Sequence, residues 1–443
     1  MGGLLDFVEV REFQSSSIGD ESLQAISDEV ISRVNAEFDE STLRSPSGED
    51  RKTVRGRIGS LVAAAVRRRG NGPSTSLRTG LSARDEGLLA DDIARRVLGL
   101  GFLDLLLPPA RTDLTEIAIT PDGKLMVKVK GRAKFELLQE IRPDRHEVGR
   151  VLAALLGPQG ASLNEATPSV DAKLPKTRHN PGGGRVKAIH PCIAPGAGFP
   201  SVNIRLFEQQ PVKPEQLLNW GALDREMLDV LAEAVAQTLR IFIVGGTGTG
   251  KTTILSALTN YIDRADRIVK IEDPEEIFVD HPHVVTLEAR HTPPGSEVPS
   301  YTIKDAVDDA MRMTPDWLVV GEVRTGNAAM SLFRAQMSDH PGLSTFHAES
   351  PGAAVHRLAV IMDSDAGVKG DASKALFAMA VDLVMQLGYD RFGQRRVTEI
   401  AEVGRSLRGG MVQFKRLFAF DQENSTETRP LWTQTGEITR RRR

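Results

Sequence analysis

The 443-residue sequence has a single cysteine, Cys192, so no internal disulfide can form and no set of thiolates is present to hold structural zinc. A reducing compartment, the cytoplasm, fits that usage. No stretch reaches the roughly 18 uninterrupted apolar residues of a membrane-spanning helix. The opening run MGGLLDFVEVREF lacks the basic region and long apolar core of a secretory signal, so work at a membrane would require recruitment by partners. Charge of one sign is missing too, since 56 Lys+Arg against 59 Asp+Glu leave a formal net charge of −3, and aromatics make up only 5%. Neither a global positive field nor a supply of stacking rings recommends nucleic acid as a partner. The 40% hydrophobic and 26% charged residues that are present describe an ordinary globular chain, and the length predicts two or three folded units.

Residues 1–70 are expected to form a helical segment, with Leu23, Ile26, Val30 and Val34 on one face and Ile58, Leu61, Val62 and Ala65 on another. Arg67, Arg68 and Arg69 would end the second helix, where cations complement the helix dipole. GNGPSTSLRTG reads as a flexible linker, with 71–84 separating the helices from an α+β domain over 85–207. In that domain a helix ends near Leu98, 115–119 and 125–129 flank the turn residues Pro121, Asp122 and Gly123, a helix follows at 144–156, and strands at 186–189 and 201–207 complete it. EQQPVKP, within 208–215, reads as a hinge linker. From 216 to 422 buried strands alternate with helices, the pattern of a mainly parallel α/β sheet with helices on both faces, with strands at 240–244, 268–271, 284–287, 318–320 and 343–346. Thr302 and Ser350 read as helix N-caps. The polar stretch 423–443, ending in four arginines, is expected to be disordered.

IFIVGGTGTGKTT places Gly245, four residues, then Gly250, Lys251 and Thr252, a full GxxxxGK[ST] match lying between an apolar strand and an amphipathic run. Backbone N–H groups and a helix N-terminus would converge on a β-phosphate. Lys251 would neutralise phosphate charge and Thr252 would ligate Mg2+. The predicted contact set is Gly245, Gly246, Thr247, Gly248, Thr249, Gly250, Lys251, Thr252 and Thr253. Hydrolysis needs in addition a group that orients water. WLVVGEVR places Glu322 at the carboxyl end of a strand, IVKIEDPEE does the same for Glu272 and Asp273, and GLSTFHAES for His347. Three polar strand ends beside a phosphate loop predict a hydrolytic site, in which Glu322 is the first choice for activating water and for the Mg2+ shell, and Glu272 the second.

GGTGTGKTT, IEDPEE, TIKDAVDDAMRMTPDWLVVGEVR and LSTFHAESP follow one another in the order seen in type II/type IV secretion ATPases. The chain resembles their CpaF-type branch, the motors of tight-adherence (Flp) pili, over roughly residues 97–420. The resemblance implies a RecA-like ATPase domain and a homohexameric ring that hydrolyses ATP and moves pilin through an inner-membrane platform, on whose cytoplasmic face it would sit. It makes Gly245, Gly250, Lys251 and Thr252 the Walker A motif, Glu272 the Asp-box acid, Glu322 the Walker B acid and His347 the second histidine of the His box. Arg205 and Arg185 match arginines that in the family approach nucleotide from the preceding domain, and Arg290, Arg312 and Arg324 fall on family-like positions that salt bridges would explain equally well.

The chain departs from the family at three places. Asp339, with His340 beside it, stands at the first His-box histidine, Asn327 where many relatives carry Glu, and residues 178–184 lengthen the loop before Arg185. Two other readings remain at this point: a nucleic-acid translocase of conjugative transfer, and a nucleotide-gated scaffold that does not hydrolyse.

Overall fold

The structure, a computed structural model, describes residues 20–39, 43, 48–70, 81–130, 132, 134–177, 180–208, 210–292 and 298–439. The chain divides into two compact units, Met1–Phe207 and Glu208–Arg443.

In the first unit, α1 (Asp20–Glu37), α2 (Gly48–Gly70) and α3 (Ala83–Leu98) share one apolar core. Three- and four-residue spacing brings Ile26, Val30 and Val34 of α1 together with Ile58, Leu61 and Val62 of α2 and Leu89, Ile93 and Val97 of α3. The boundary expected at residue 85 is thereby corrected. The helix preceding Leu98 carries an apolar stripe that completes the bundle, so α3 belongs with α1 and α2. Residues 71–80, the expected linker, lie outside the described residues. Arg68 reaches back to Glu29 and Arg69 to the Ala25 carbonyl, so these arginines tie α2 to α1.

The same unit carries an antiparallel sheet in the order β3-β2-β1-β6-β5-β4. Its strands are β1 (Leu114–Ile119), β2 (Leu125–Val129), β3 (Glu136–Leu137), β4 (Ser169–Leu174), β5 (Gly184–Ile189) and β6 (Ser201–Leu206). Side chains alternate between faces. Ile117, Val186, Ala188, Val202 and Ile204 share a core with Val148, Val151, Leu152 and Leu155 of α4 (Arg145–Leu156). Asp144 caps that helix by accepting a hydrogen bond from the Glu147 N–H, worth about 1 kcal/mol. The opposite face is polar. Its register sets Lys173, Arg185, Arg205, Glu116 and Lys128 side by side across five strands.

The second unit is built on a sheet ordered β15-β14-β13-β12-β7-β11-β10-β8-β9. Its parallel part comprises β7 (Ile241–Gly245), β8 (Ile268–Glu272), β9 (Val284–Glu288), β10 (Trp317–Val323), β11 (Gly342–His347) and β12 (Leu383–Tyr389). Antiparallel β13 (Arg395–Arg408), β14 (Met411–Phe420) and β15 (Trp432–Gln434) extend it beyond β12. One face packs on α5 (Pro214–Asn219), α6 (Arg225–Ala236) and α7 (Lys251–Leu258). The other packs on α8 (Ile303–Ala310), α9 (Gly326–Met337), α10 (Pro351–Ala366) and α11 (Gly370–Ala380). Covered on both faces, β7 and β8 are buried at every residue. Strand β7, which leads into the glycine loop, lies between β11 and β12, and β11 separates it from β10, the strand order of a RecA-like core. Thr302 caps α8 with a capping box and Ser350 caps α10, at the positions predicted.

The segment from 423, expected to be disordered, instead continues the fold through residue 439. Trp432 donates its indole N–H to the Val397 carbonyl at 2.7 Å, and Thr439 donates to Glu402 at 2.7 Å. These two anchors, with the pairing of β15 on β14, hold a stretch whose composition is otherwise that of a loop. Residues 440–443 lie outside the described residues. Among the described residues no helix is long and apolar enough to cross a membrane.

Candidate active site

Strand β7 delivers the glycine loop, and helix α7 begins directly after it at Lys251. Gly248 and Gly250 have φ of +74° and +97°, a conformation only glycine adopts without strain. At Gly245 a side chain has no room, because a Cβ would lie 2.6 Å from Thr249 Oγ1 and 2.8 Å from the Leu387 carbonyl. Lys251 Nζ donates to the carbonyls of Gly245 (3.1 Å) and Gly246 (2.8 Å), and Thr249 Oγ1 donates to Gly246 O at 3.0 Å. With these carbonyls tied to side chains, the backbone N–H groups and the α7 N-terminus are left for an anion.

The register brings the other predicted residues to the same edge of the sheet. Gly245 pairs with His347, Phe346 with Val323, and Ile271 with Val320. Glu322 stands at a bulge, since three steps along β10 from Val320 to Val323 match two along β11. Thr345 Oγ1 donates at 2.6 Å to the Gly321 carbonyl within that bulge. Gly321 has a second role, because a Cβ there would lie 3.0 Å from Glu272 Cγ. Glu322 is part-exposed and its Oε2 accepts from Arg324 Nε at 2.7 Å. Burial lowers the Arg324 pKa, and the charges of Glu322, Asp273 and Glu276 around it outweigh this and hold it above the usual arginine value.

Glu272 differs from Glu322 in that it is 2% exposed. Its Oε1 accepts the N–H groups of Glu276 (2.9 Å) and Ile277 (2.8 Å), fixing the turn after β8. Lys270 Nζ lies 3.0 Å from Oε2 but directs its hydrogen bonds to Glu275 Oε1 and the Ile277 carbonyl, so the contact is an ion pair without an aligned hydrogen bond. Burial pushes the Glu272 carboxyl up, against the opposing pull of Lys270 and the two N–H donors.

A cavity of about 350 Å³ opens beside Glu322, lined by Glu322, Val323, Arg324, Phe346, His347 and Arg357. Arg357 escaped the sequence reading. It donates to the His347 carbonyl at 3.0 Å and its guanidinium sits 5.7 Å from the Phe346 ring centre. Also missed was His291, whose Nε2 lies 2.8 and 2.9 Å from the two carboxylate oxygens of Asp273. Neither stands in a motif that would have found it.

Other predicted positions fall elsewhere. His340 and Asp339 precede β11, whose six residues put them roughly 20 Å from the His347 end. There His340 Nδ1 lies 3.2 Å from the Ala335 carbonyl, closing the end of α9. Arg290 donates to the Pro299 carbonyl, while Arg312 and Asn327 are exposed. Arg178 lies outside the described residues, but the loop it opens returns to β5 through Gly183, whose φ is +67°. Arg185 and Arg205 belong to the first unit and lie directly opposite each other on β5 and β6, with Arg185 3.1 Å from Asp171.

Fold and site together define a RecA-like P-loop ATPase. The family described as type II/IV secretion system protein matches residues 112–408, and the chain belongs to that family. Among its relatives is a Mycobacterium tuberculosis protein provisionally named for conjugal transfer, 32% identical over 68% of this chain and 84% of its own length. Another is the conjugal transfer protein TrbB of Rhizobium radiobacter, 28% identical over 66% of this chain and 84% of its own. The X-ray structure of the Legionella pneumophila ATPase DotB has 20% identity and a TM-score of 0.48, covering 66% of this chain and 77% of that one.

Proposed function

We propose that the chain is the ATP-hydrolysing motor of a pilus-assembly or protein-secretion machine, in the tight-adherence branch that its motifs resemble. It works as a homohexamer, held to the cytoplasmic face of an inner membrane by platform proteins. The observation that carries the chemistry is the glycine loop, paired with His347 through Gly245, lying at the same edge of a buried parallel sheet as Glu322 in its bulge. The residues present fit ATP with Mg2+: the cradle has no space for side chains at Gly245, Lys251 stands at the α7 N-terminus, and Thr252 follows it. Thr252 and Glu322 would hold the metal shell. Bound Mg2+ neutralises the phosphates and offsets charge on the transferring group. Glu322, part-exposed beside a cavity, positions the attacking water, whereas Glu272 is buried, with Oε1 bound to N–H groups of the turn it supports and Oε2 beside Lys270.

Arg185 and Arg205 contribute positive charge from the first unit. Residues 208–214 act as the hinge, because closure onto nucleotide differs in free energy before and after hydrolysis. A second reading, a conjugative transfer motor, is favoured by the names of the two relatives. Phosphate release by the purified chain with Mg-ATP tests both. The pilus or secretion reading expects release that is lost in Lys251→Ala and indifferent to single-stranded DNA. Stimulation by DNA with a steep salt dependence would transfer the assignment to conjugation, and release unchanged in Lys251→Ala would refute the site.

A further inference from the structure

The glycine loop is shaped from outside by strand β12 and the turn that follows it. Leu387 pairs with Gly245, and a Cβ at Gly250 would meet Leu387 Cδ2 and Arg395 Cδ at 3.9 and 3.8 Å. At the end of β12, Tyr389 is 51% exposed and directs its hydroxyl to the Gly248 carbonyl at 2.8 Å, across 141 residues of sequence. A tyrosine that keeps half its surface in water gains little from burial, so the hydroxyl contact is what its placement serves.

The residues around Tyr389 hold it there. Asp390 Oδ1 accepts the N–H groups of Phe392 and Gln394, and its Oδ2 pairs with Arg396 Nε at 3.0 Å in a contact buried on both sides. Arg396 in turn donates to the carbonyls of Trp220 (3.1 Å) and Gly221 (2.6 Å). The turn carrying Tyr389 is thus a fixed support against which the loop is set.

We propose that Tyr389 is a positioning residue for nucleotide: its hydroxyl latches the Gly248 carbonyl and thereby holds the Thr249 N–H toward the phosphates. In a planar trans peptide the C=O and the following N–H point in opposite directions, so fixing one outward aims the other inward. The peptide after Gly248 needs such a restraint, because glycine has no Cβ to resist its rotation. The other carbonyl contacts in the loop come from Thr249, within the loop itself, and from Lys251, whose ammonium bound phosphate would draw away. Tyr389 makes its contact from a separate, braced element and keeps it when nucleotide enters.

This inference rests on the assignment of residues 245–252 as the phosphate site, and the test separates the two. Binding of ATP, ADP and AMP to the full chain is measured by calorimetry for the wild type, Tyr389→Phe, Tyr389→Ala and Lys251→Ala, beside thermal melts without nucleotide. Tyr389→Phe keeps the ring and loses only the hydroxyl. It is expected to weaken ATP and ADP by the same factor, roughly five- to tenfold for one lost hydrogen bond, with AMP binding, kcat and the nucleotide-free melting temperature unchanged. Tyr389→Ala should match it. The latch is refuted if Tyr389→Phe binds ADP like the wild type, if Tyr389→Ala is weak while Tyr389→Phe is normal, or if kcat falls with affinity intact. Unchanged binding in Lys251→Ala would instead refute the phosphate site.

Discussion

The two sheets of this protein solve the same problem in opposite ways. The antiparallel sheet of the first unit buries one face and leaves the other wet, so β6 alternates Val202, Ile204 and Leu206 with Ser201, Asn203 and Arg205. The parallel sheet of the second unit is covered on both sides, so β7 and β8 have no wet face. Chemistry is displaced accordingly. In the first unit polar groups lie along the strands, as the row through Arg185 and Arg205 shows. In the second they gather where strands end, at Gly245, Glu272, Glu322 and His347, because only there does the backbone leave the core. A wet face serves as a charged surface, and a strand-end edge serves as a site with fixed geometry.

The contrast is broken most directly by alanine replacement at neighbouring residues. Phe242→Ala and Ile243→Ala should each destabilise the protein by about 2–5 kcal/mol, since both faces of β7 are packed. Of the pair Asn203 and Ile204, only Ile204→Ala should do so, with Asn203→Ala within about 0.5 kcal/mol. Denaturant unfolding measures all four, and a harmless Phe242→Ala would mean that one face of β7 is not packed. Next in size, Lys251→Ala should lower nucleotide turnover by at least about a hundredfold without a change in the melting temperature, read by phosphate release beside a thermal scan.

How much of this was open to sequence reading follows from the range of each signal. The loop at 245–252, the caps Thr302 and Ser350, and the strand-end acids are written within a dozen residues, where backbone geometry and residue type act together. Contacts that hold the fold across long separations are not. Arg240 forms a buried pair with Asp382 at 2.7 Å, 142 residues apart, and also donates to the Gln336 carbonyl. Neither partner's neighbourhood hints at the other, and the same is true of Tyr389 and Gly248. The expectations that α3 belongs to the α+β domain and that residues 423–439 are disordered failed for a related reason. Both depend on which surface an amphipathic or polar segment meets, and that surface lies elsewhere in the chain.

Smaller effects sharpen the comparison. Arg205→Ala, on the wet face, should leave stability within about 0.5 kcal/mol yet lower hydrolysis at least about tenfold if it meets transferring charge. Unchanged hydrolysis would reduce the arginine row to a solubility feature. The smallest effect is on pH dependence, where Asp171 of the first unit and Glu272 of the second differ in sign. At Asp171 burial opposes ionisation, but hydrogen bonds from Lys187 and Arg185 outweigh it and hold the folded carboxyl below its unfolded value of 3.8. Its contribution is present above that value and is lost as pH falls through the folded pKa. Burial raises Glu272 above its unfolded 4.5, so its contribution is full below 4.5 and is lost as pH rises through the folded pKa. Unfolding titrations should therefore show Asp171→Asn removing an acid-side loss and Glu272→Gln removing a decline above pH 4.5.

The central claim is that the edge of the parallel sheet is a hydrolytic site and that Glu322 is the residue that turns binding into turnover. Its most direct test is a single-turnover experiment on Glu322→Gln with radiolabelled ATP and Mg2+, following bound nucleotide and released phosphate together. The predicted result is ATP retained at wild-type affinity with phosphate release slowed by at least about a hundredfold. Release at the wild-type rate would contradict the account.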